Sequence, residues 1–173
     1  MPEWLSTTIT LLAGGALTIL AGWLADQRAS ERERVRRQDE RRERLLVRRN
    51  DFQRETLLAL QDATQRLIRS AGAMHFQDVS AYRTSGKWQR QQFNDDLSDQ
   101  QLRANTDTML FASRVRDDEV RNLADQLRDQ VYDVGSSPDE ATAEGRMLAA
   151  ANTQQALIQR IGQLVRELDD DTL

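Results

Sequence analysis

Residues 57–74 read LLALQDATQRLIRSAGAM, and the fold turns on how that stretch is spaced. Leu57, Leu60, Thr64, Leu67, Ala71 and Met74 step by three and four. That is the period of one helix face, whereas a half-buried strand alternates every residue. The spacing predicts a helix with a core-facing seam, widened by Leu46, Phe52, Ala59 and Ala63 and running to about the mid-seventies. Gly72 is a mild interruption and Ser85-Gly86 the first clear breaker.

Three more helical regions are expected beyond it. The second spans Trp88 to about Arg116, with Leu102, Thr106, Met109, Leu110 and Ser113 on its buried side. Ser98 to Gln101 has the form of a capping box, which would divide this region in two. The third begins after Asp117 as N-cap, carries Val120, Leu123, Leu127, Val131 and Val134, and stops at Gly135. Ser136-Ser137-Pro138 makes the next turn, with Ser137 as N-cap and Pro138 in the first helical position. The fourth helix then runs to about Leu168 through Met147, Leu148, Ala151, Leu157, Ile161, Leu164, Val165 and Leu168. No stretch alternates like a strand, so residues 45–168 read as a bundle of about four helices, followed by an acidic tail at 169–173. Its expected core includes Leu57, Leu60, Leu67, Met74, Leu102, Met109, Leu123, Leu127, Leu157, Ile161 and Leu164.

Toward the amino end the character changes twice. Residues 26–44 hold only Ala29 and Val35 as apolar residues, so they bury no face. They are good helix formers, with Glu33–Arg37 and Glu40–Arg44 at i,i+4 and Glu31–Arg34 and Asp39–Arg42 at i,i+3. This predicts a solvated helical stalk about 29 Å long. Before it, Trp4 to Ala25 carry no charged side chain. As a helix that run spans about 33 Å, against about 30 Å of bilayer hydrocarbon. Backbone groups in lipid must be paired internally, which a helix does. Trp4 and Trp23 sit near its ends, where indoles favour the headgroup level, and Arg28 and Arg32 follow at the same interface. A cleaved secretory signal fits less well, because Met1-Pro2-Glu3 supplies no basic start and the apolar run is long.

Ten arginines lie between Arg28 and Arg49 against six acids from Asp26 to Asn50. Positive charge beside a membrane helix stays cytoplasmic. The expected arrangement is a single pass in the cell inner (plasma) membrane, with residues 1–3 outside and the bundle in the cytoplasm. The absence of cysteine agrees with that compartment. Arginines near an anionic leaflet would add lipid contact. Nucleic acid is the poorer partner for the stalk, because five acids interleave among its arginines and no aromatic side chain is present to stack bases. Within the apolar run Ser6, Thr10, Gly14, Thr18 and Gly22 recur at every fourth position, a small-residue stripe suited to helix–helix packing and hence to a homo-oligomer.

Residues fit for catalysis are sparse. One histidine, His75, and no cysteine leave a soft metal almost no ligands. Between Met74 and Phe76, at the end of an apolar seam, His75 reads as structural. Asp95-Asp96-Leu97-Ser98-Asp99 has the D-D-x-x-D form that holds diphosphate through magnesium in isoprenoid synthases, but the facing acidic motif and the length of those enzymes are missing. Asp169-Asp170-Asp171 lacks the alternating ligands and glycine turn of a calcium loop. No phosphate loop, nucleophile elbow or triad is present. The expectation is no enzyme, no cofactor and no metal.

An amino-terminal apolar helix followed by a long charged helix resembles the stator b subunit of rotary ATP synthases. That family continues as one coiled coil, whereas Ser85-Gly86 and Ser136-Ser137-Pro138 turn this chain back. The whole chain, with twenty-three Arg against the one Lys87, is also similar to uncharacterised short single-pass proteins of high-GC bacteria and their phages. That resemblance implies inner-membrane residence and no particular activity. The functional expectation is a membrane-anchored, non-enzymatic adaptor or scaffold whose bundle meets a protein partner of unknown identity. The alternative is a homo-oligomeric membrane device, such as a small pore, stress sensor or phage-defence effector.

Overall fold

The computed structural model describes the backbone of residues 3–88 and 95–170, and side chains at residue 34 and at residues 36–88 and 95–170. Among the described residues there are four helices and no strand: α1 (Glu3–Ser85), α2 (Asp95–Ala112), α3 (Asp118–Gly135) and α4 (Glu140–Asp170). The fold is all-α, as the spacing requires. The chain divides into two compact units, Met1–Arg48 and Arg49–Leu173.

In the first unit the described side chains belong to α1 and are mostly exposed. Glu40 accepts from Arg36 at 3.0 Å and from Arg44 at 3.3 Å. The Glu40–Arg44 pair is the one expected; the Arg36–Glu40 pair has the less favourable order along the helix. Among the described residues no helix is long and apolar enough to cross a membrane. The side chains that carry that expectation, Trp4, Ser6, Thr10, Gly14, Thr18, Gly22, Trp23, Arg28 and Arg32, lie outside the described residues.

The second unit is a helical bundle built on the remainder of α1. Its buried stripe runs Gln53, Thr56, Leu57, Leu60, Ala63, Thr64, Leu67, Ser70, Ala71 and Asp78. The seam is thus longer than expected at its carboxyl end, and α1 continues to Ser85. There Gly86 takes φ +68° and donates its N–H to the Tyr82 carbonyl at 2.8 Å, a left-handed stop that a side chain would strain. At the other end Leu46 and Phe52 stand in solvent, so the seam starts at Gln53 and is not widened by them.

Cross-helix pairs give the topology. Along α1, Gln53 meets the α2–α3 turn, Arg66 meets Asp107 and Ser70 meets Gln101, so α2 runs antiparallel to α1. Arg54 pairs with Asp169 at 3.4 Å, and Met147 lies near Gly72, so α4 is also antiparallel to α1. Short turns make α3 antiparallel to α2 and α4. One core joins all four helices, with Leu57, Leu60, Leu67, Leu127, Leu157 and Ile161 almost wholly enclosed. Each such side chain contributes about 1.5–3 kcal/mol by leaving water. Leu123, Leu164 and Met147 pack against this core while partly exposed, and Met74 is half-buried.

Helix α2 overturns one expectation. Leu102 and Met109 are 63% and 51% exposed, and the residues that face the core are Ala104, Thr108 and Ala112. Small residues let the α2 backbone approach its neighbours, and the Thr108 hydroxyl is satisfied by the Ala104 carbonyl at 2.8 Å. Polar ties on both flanks of that stripe fix the rotation. Gln101 and Asp107 reach α1, and Asn105 accepts from Arg128 of α3 at 2.9 Å. Ser98 lies inside α2 and does not start a helix; the first turn carries Asp95 and Asp96, whose charge suits the helix dipole.

Asp117 caps α3 as expected, accepting from Val120 N–H at 2.9 Å. Helix α4 starts two residues later than the Ser-Pro pattern implies. Asp139 accepts from Thr142 N–H at 2.7 Å, while the Ser137 hydroxyl turns back to the Asp133 carbonyl. A carboxylate is the stronger acceptor for the exposed amides of a first turn, and this contact holds the Asp139 carboxyl below its usual range. At the far end α4 continues to Asp170, and Asp169 is engaged with Arg54.

Candidate functional site: a recess among three helices

The α1 stripe ends in functional-group chemistry. Past Ala71, one further turn carries Met74 and His75, and the next carries Asp78, which is only 7% exposed. These three face the first half of α2 (Ser98, Gln101, Leu102, Asn105) and the last half of α3 (Arg128, Val131, Tyr132, Val134). Together they enclose a recess of about 280 Å³. Ala71, Val131 and Val134 are its buried apolar members; Leu102 and Tyr132, the latter 76% exposed, stand in solvent at its edge.

Several of its polar groups are held by neighbours. Gln101 Oε1 accepts from the Ser70 hydroxyl. Arg128 donates from Nε to Asn105 Oδ1 at 2.9 Å and from Nη1 to Asp125 at 3.1 Å. The planar guanidinium is thereby oriented from two sides, which fixes it better than one contact would. A recess this small is at or below the size of sites that enclose a whole cofactor. It matches one or two side chains of a partner, with an apolar surface and fixed polar groups to orient them.

A second recess, between α1 and α2, is lined by Arg66, Arg69 and Arg103. Its charge is largely answered from within. Arg66 pairs with Asp62 at 2.9 Å and Asp107 at 3.0 Å, and Arg103 lies 3.8 Å from Asp99. Among the described residues no group of three or more His, Cys, Asp and Glu could hold a metal ion.

Two polar networks tie the bundle away from the recess. The Gln53 amide donates to the Arg114 carbonyl at 3.0 Å and accepts from Arg116 N–H at 3.1 Å, clasping the α2–α3 turn from α1. Asp117 accepts from Arg160 at 2.5 Å, and Glu119 accepts from the same guanidinium at 3.1 Å, joining α3 to α4. Hydrogen bonding from Arg160, opposed by partial burial and helped by the Val120 amide, holds the Asp117 carboxyl below its usual range.

The structure brings Met74, Leu102 and His75 to one place, while Leu57, Leu60, Leu127, Leu157 and Ile161 remain core residues elsewhere. Sequence reasoning missed Gln53, Asp78, Asn105 and Arg128. A signal existed for two of them: Gln53 lies four residues before Leu57 and Asp78 four after Met74, both in the register of the seam. Trp88 was also missed as a tie, donating its indole N–H to the Ser137 carbonyl at 2.9 Å and standing edge-on to Tyr82. No family model, curated protein or solved structure matches this chain.

Proposed function

We propose that the protein is a membrane-anchored, non-enzymatic helical adaptor, whose bundle receives a protein partner in the recess among α1, α2 and α3. The observation that carries this reading is the recess: apolar side chains beside the fixed Arg128–Asn105 pair, with two exposed large side chains, Leu102 and Tyr132, at its edge. Aromatic side chains and arginine are the residue types that dominate binding energy where proteins meet. For anchoring, support comes from the uncharged run Trp4–Ala25 and the arginines that follow it. They favour a single pass in the inner membrane, the basic side cytoplasmic and in contact with anionic lipid.

A photo-crosslinking residue placed at Tyr132 of the full-length chain tests the partner reading in cells. The expected result is one foreign protein captured reproducibly, and lost when Arg128→Ala or Met74→Asp alters the recess. Capture unaffected by those changes, or none at all, would overturn it. Alkaline extraction of membranes tests the anchor: the chain should stay in the pellet, and release into the supernatant would remove the anchor.

A further inference from the structure

Building on the adaptor reading, we infer that the recess receives a carboxylate of the protein partner at its Arg128–Asn105 end, with an apolar side chain beside it over Ala71, Met74 and Val131. The hydrogen bond from Arg128 Nε to Asn105 Oδ1 at 2.9 Å decides the chemistry. A guanidinium N–H can only donate, so the oxygen of the Asn105 amide must be the atom that meets it. The other end of that amide is then an –NH2, a donor with two hydrogens. Arg128 commits Nε to Asn105 and Nη1 to Asp125 at 3.1 Å, and Nη2 enters neither bond. Two donor groups, Asn105 Nδ2 and Arg128 Nη2, thus flank one hydrogen bond, and both residues line the recess. A carboxylate has two oxygens to answer two donors. A neutral amide has one, and an ammonium group has none.

The recess is polarised along its length. Gln101 meets Ser70 and Asn105 meets Arg128, so the antiparallel packing of α2 sets Asn105 and Arg128 at one end. Ser98 and Gly135 line the other end, about 10 Å away along their helices. Asp78, on α1 beyond Ser70, lies further still, about 18 Å along the axis from Asn105. The apolar middle of Ala71, Met74 and Val131 separates it from the two donors, so its charge does not cancel theirs. Asp125 does approach Arg128, but its side chain is 63% exposed and water screens the pair. Arg128 itself is only 25% exposed, and a carboxylate seated against its covered side is screened less. An anion is welcome at one end only. That fixes the direction of the partner segment, acid at Arg128 and apolar neighbour toward Met74.

Three capped dipeptides that differ in one group test this: N-acetyl-Leu-Glu-amide, N-acetyl-Leu-Gln-amide and N-acetyl-Leu-Lys-amide. Each is titrated into the full-length protein in detergent, and the side-chain N–H signals of Asn105 and Arg128 are followed by NMR. The Glu probe should shift both signals and bind in the millimolar range, about tenfold tighter than either of the others. Asn105→Asp keeps an acceptor for Arg128 Nε and replaces the second donor with negative charge, so the fold should persist and the preference for Glu should vanish. Arg128→Gln should bring the Glu and Gln probes level. Equal binding of the three probes, a preference for Lys, no shift with any of them, or a Glu preference retained in both variants overturns the inference. A foreign protein captured at Tyr132 would still leave the adaptor reading standing in those cases. Discrimination among the probes with no capture at Tyr132 would overturn the protein partner as the source of the carboxylate, and the adaptor reading with it.

Discussion

Helices α2 and α3 have the same length, 18 residues each, and both carry apolar residues at helical spacing, yet they face opposite ways. In α3 the buried positions are Val120, Ala124, Leu127, Val131 and Val134, and its apolar stripe and its core face coincide. In α2 the large residues point out and the small ones point in. Periodicity locates a stripe; what neighbours can reach decides whether it is the buried one. For α2 the deciding groups are polar, because Gln101, Asn105 and Asp107 find partners on α1 and α3 only when Ala104 and Thr108 face inward.

Truncation is the strongest way to break this comparison. Leu127→Ala removes a fully enclosed side chain of α3 and should cost about 2–5 kcal/mol in denaturant unfolding of the full-length chain. Leu102→Ala, the apolar residue expected to do the same work in α2, should change stability by under about 0.5 kcal/mol. Similar losses at both sites would return Leu102 to the core and overturn the orientation of α2.

Enlarging the small face comes next. Ala104→Leu forces three more carbons into a position only 1% exposed, and overpacking of this kind costs about 1–3 kcal/mol. The same substitution at exposed Ser113 should be near neutral. Should Ala104→Leu prove harmless, the close approach of α2 to the core would be wrong.

The all-α class and the α3 register were legible because both follow from local spacing and one strong N-cap, Asp117. The ends of α1 and α4 were less so. Glycine at 86 was visible as a breaker, but the apolar spacing ends about ten residues before Ser85, since the seam past Met74 continues through His75 and Asp78 and not through apolar residues. At α4, Ser137-Pro138 is a sound start signal that lost to a carboxylate two residues on. The recess was not legible, because it depends on Arg128 and Asn105 meeting across two helices, and nothing in either helix alone marks them as partners.

Gln53 sharpens the comparison at the turn between the two helices. Its amide serves one carbonyl and one N–H of residues 114–116 while itself 7% exposed. Gln53→Met keeps the volume and leaves both backbone groups without that partner, a loss of about 1–3 kcal/mol. Amide exchange should rise at Arg116 more than at Val120, whose N–H is kept by Asp117. Equal exchange at the two amides would mean that the clasp does not hold the turn.

The smallest expected effect separates cap from charge at the start of α3. Asp117→Ala deletes the cap and the Arg160 contact together, and should cost about 1–2 kcal/mol at neutral pH. Asp117→Asn keeps an acceptor for the Val120 amide but no negative charge, so it should cost less. The two variants also differ from the parent in acid. Because the folded-state pKa of Asp117 is lowered, its contribution is present in full above the unfolded carboxylate value of about 3.9 and is lost as pH falls through the folded value below it. Unfolding of the parent measured from pH 6 down to pH 2 should therefore show a slope that Asp117→Asn flattens. An unchanged slope would mean that Arg160 stabilises α3 through packing against α4, with the carboxylate acting as a cap alone.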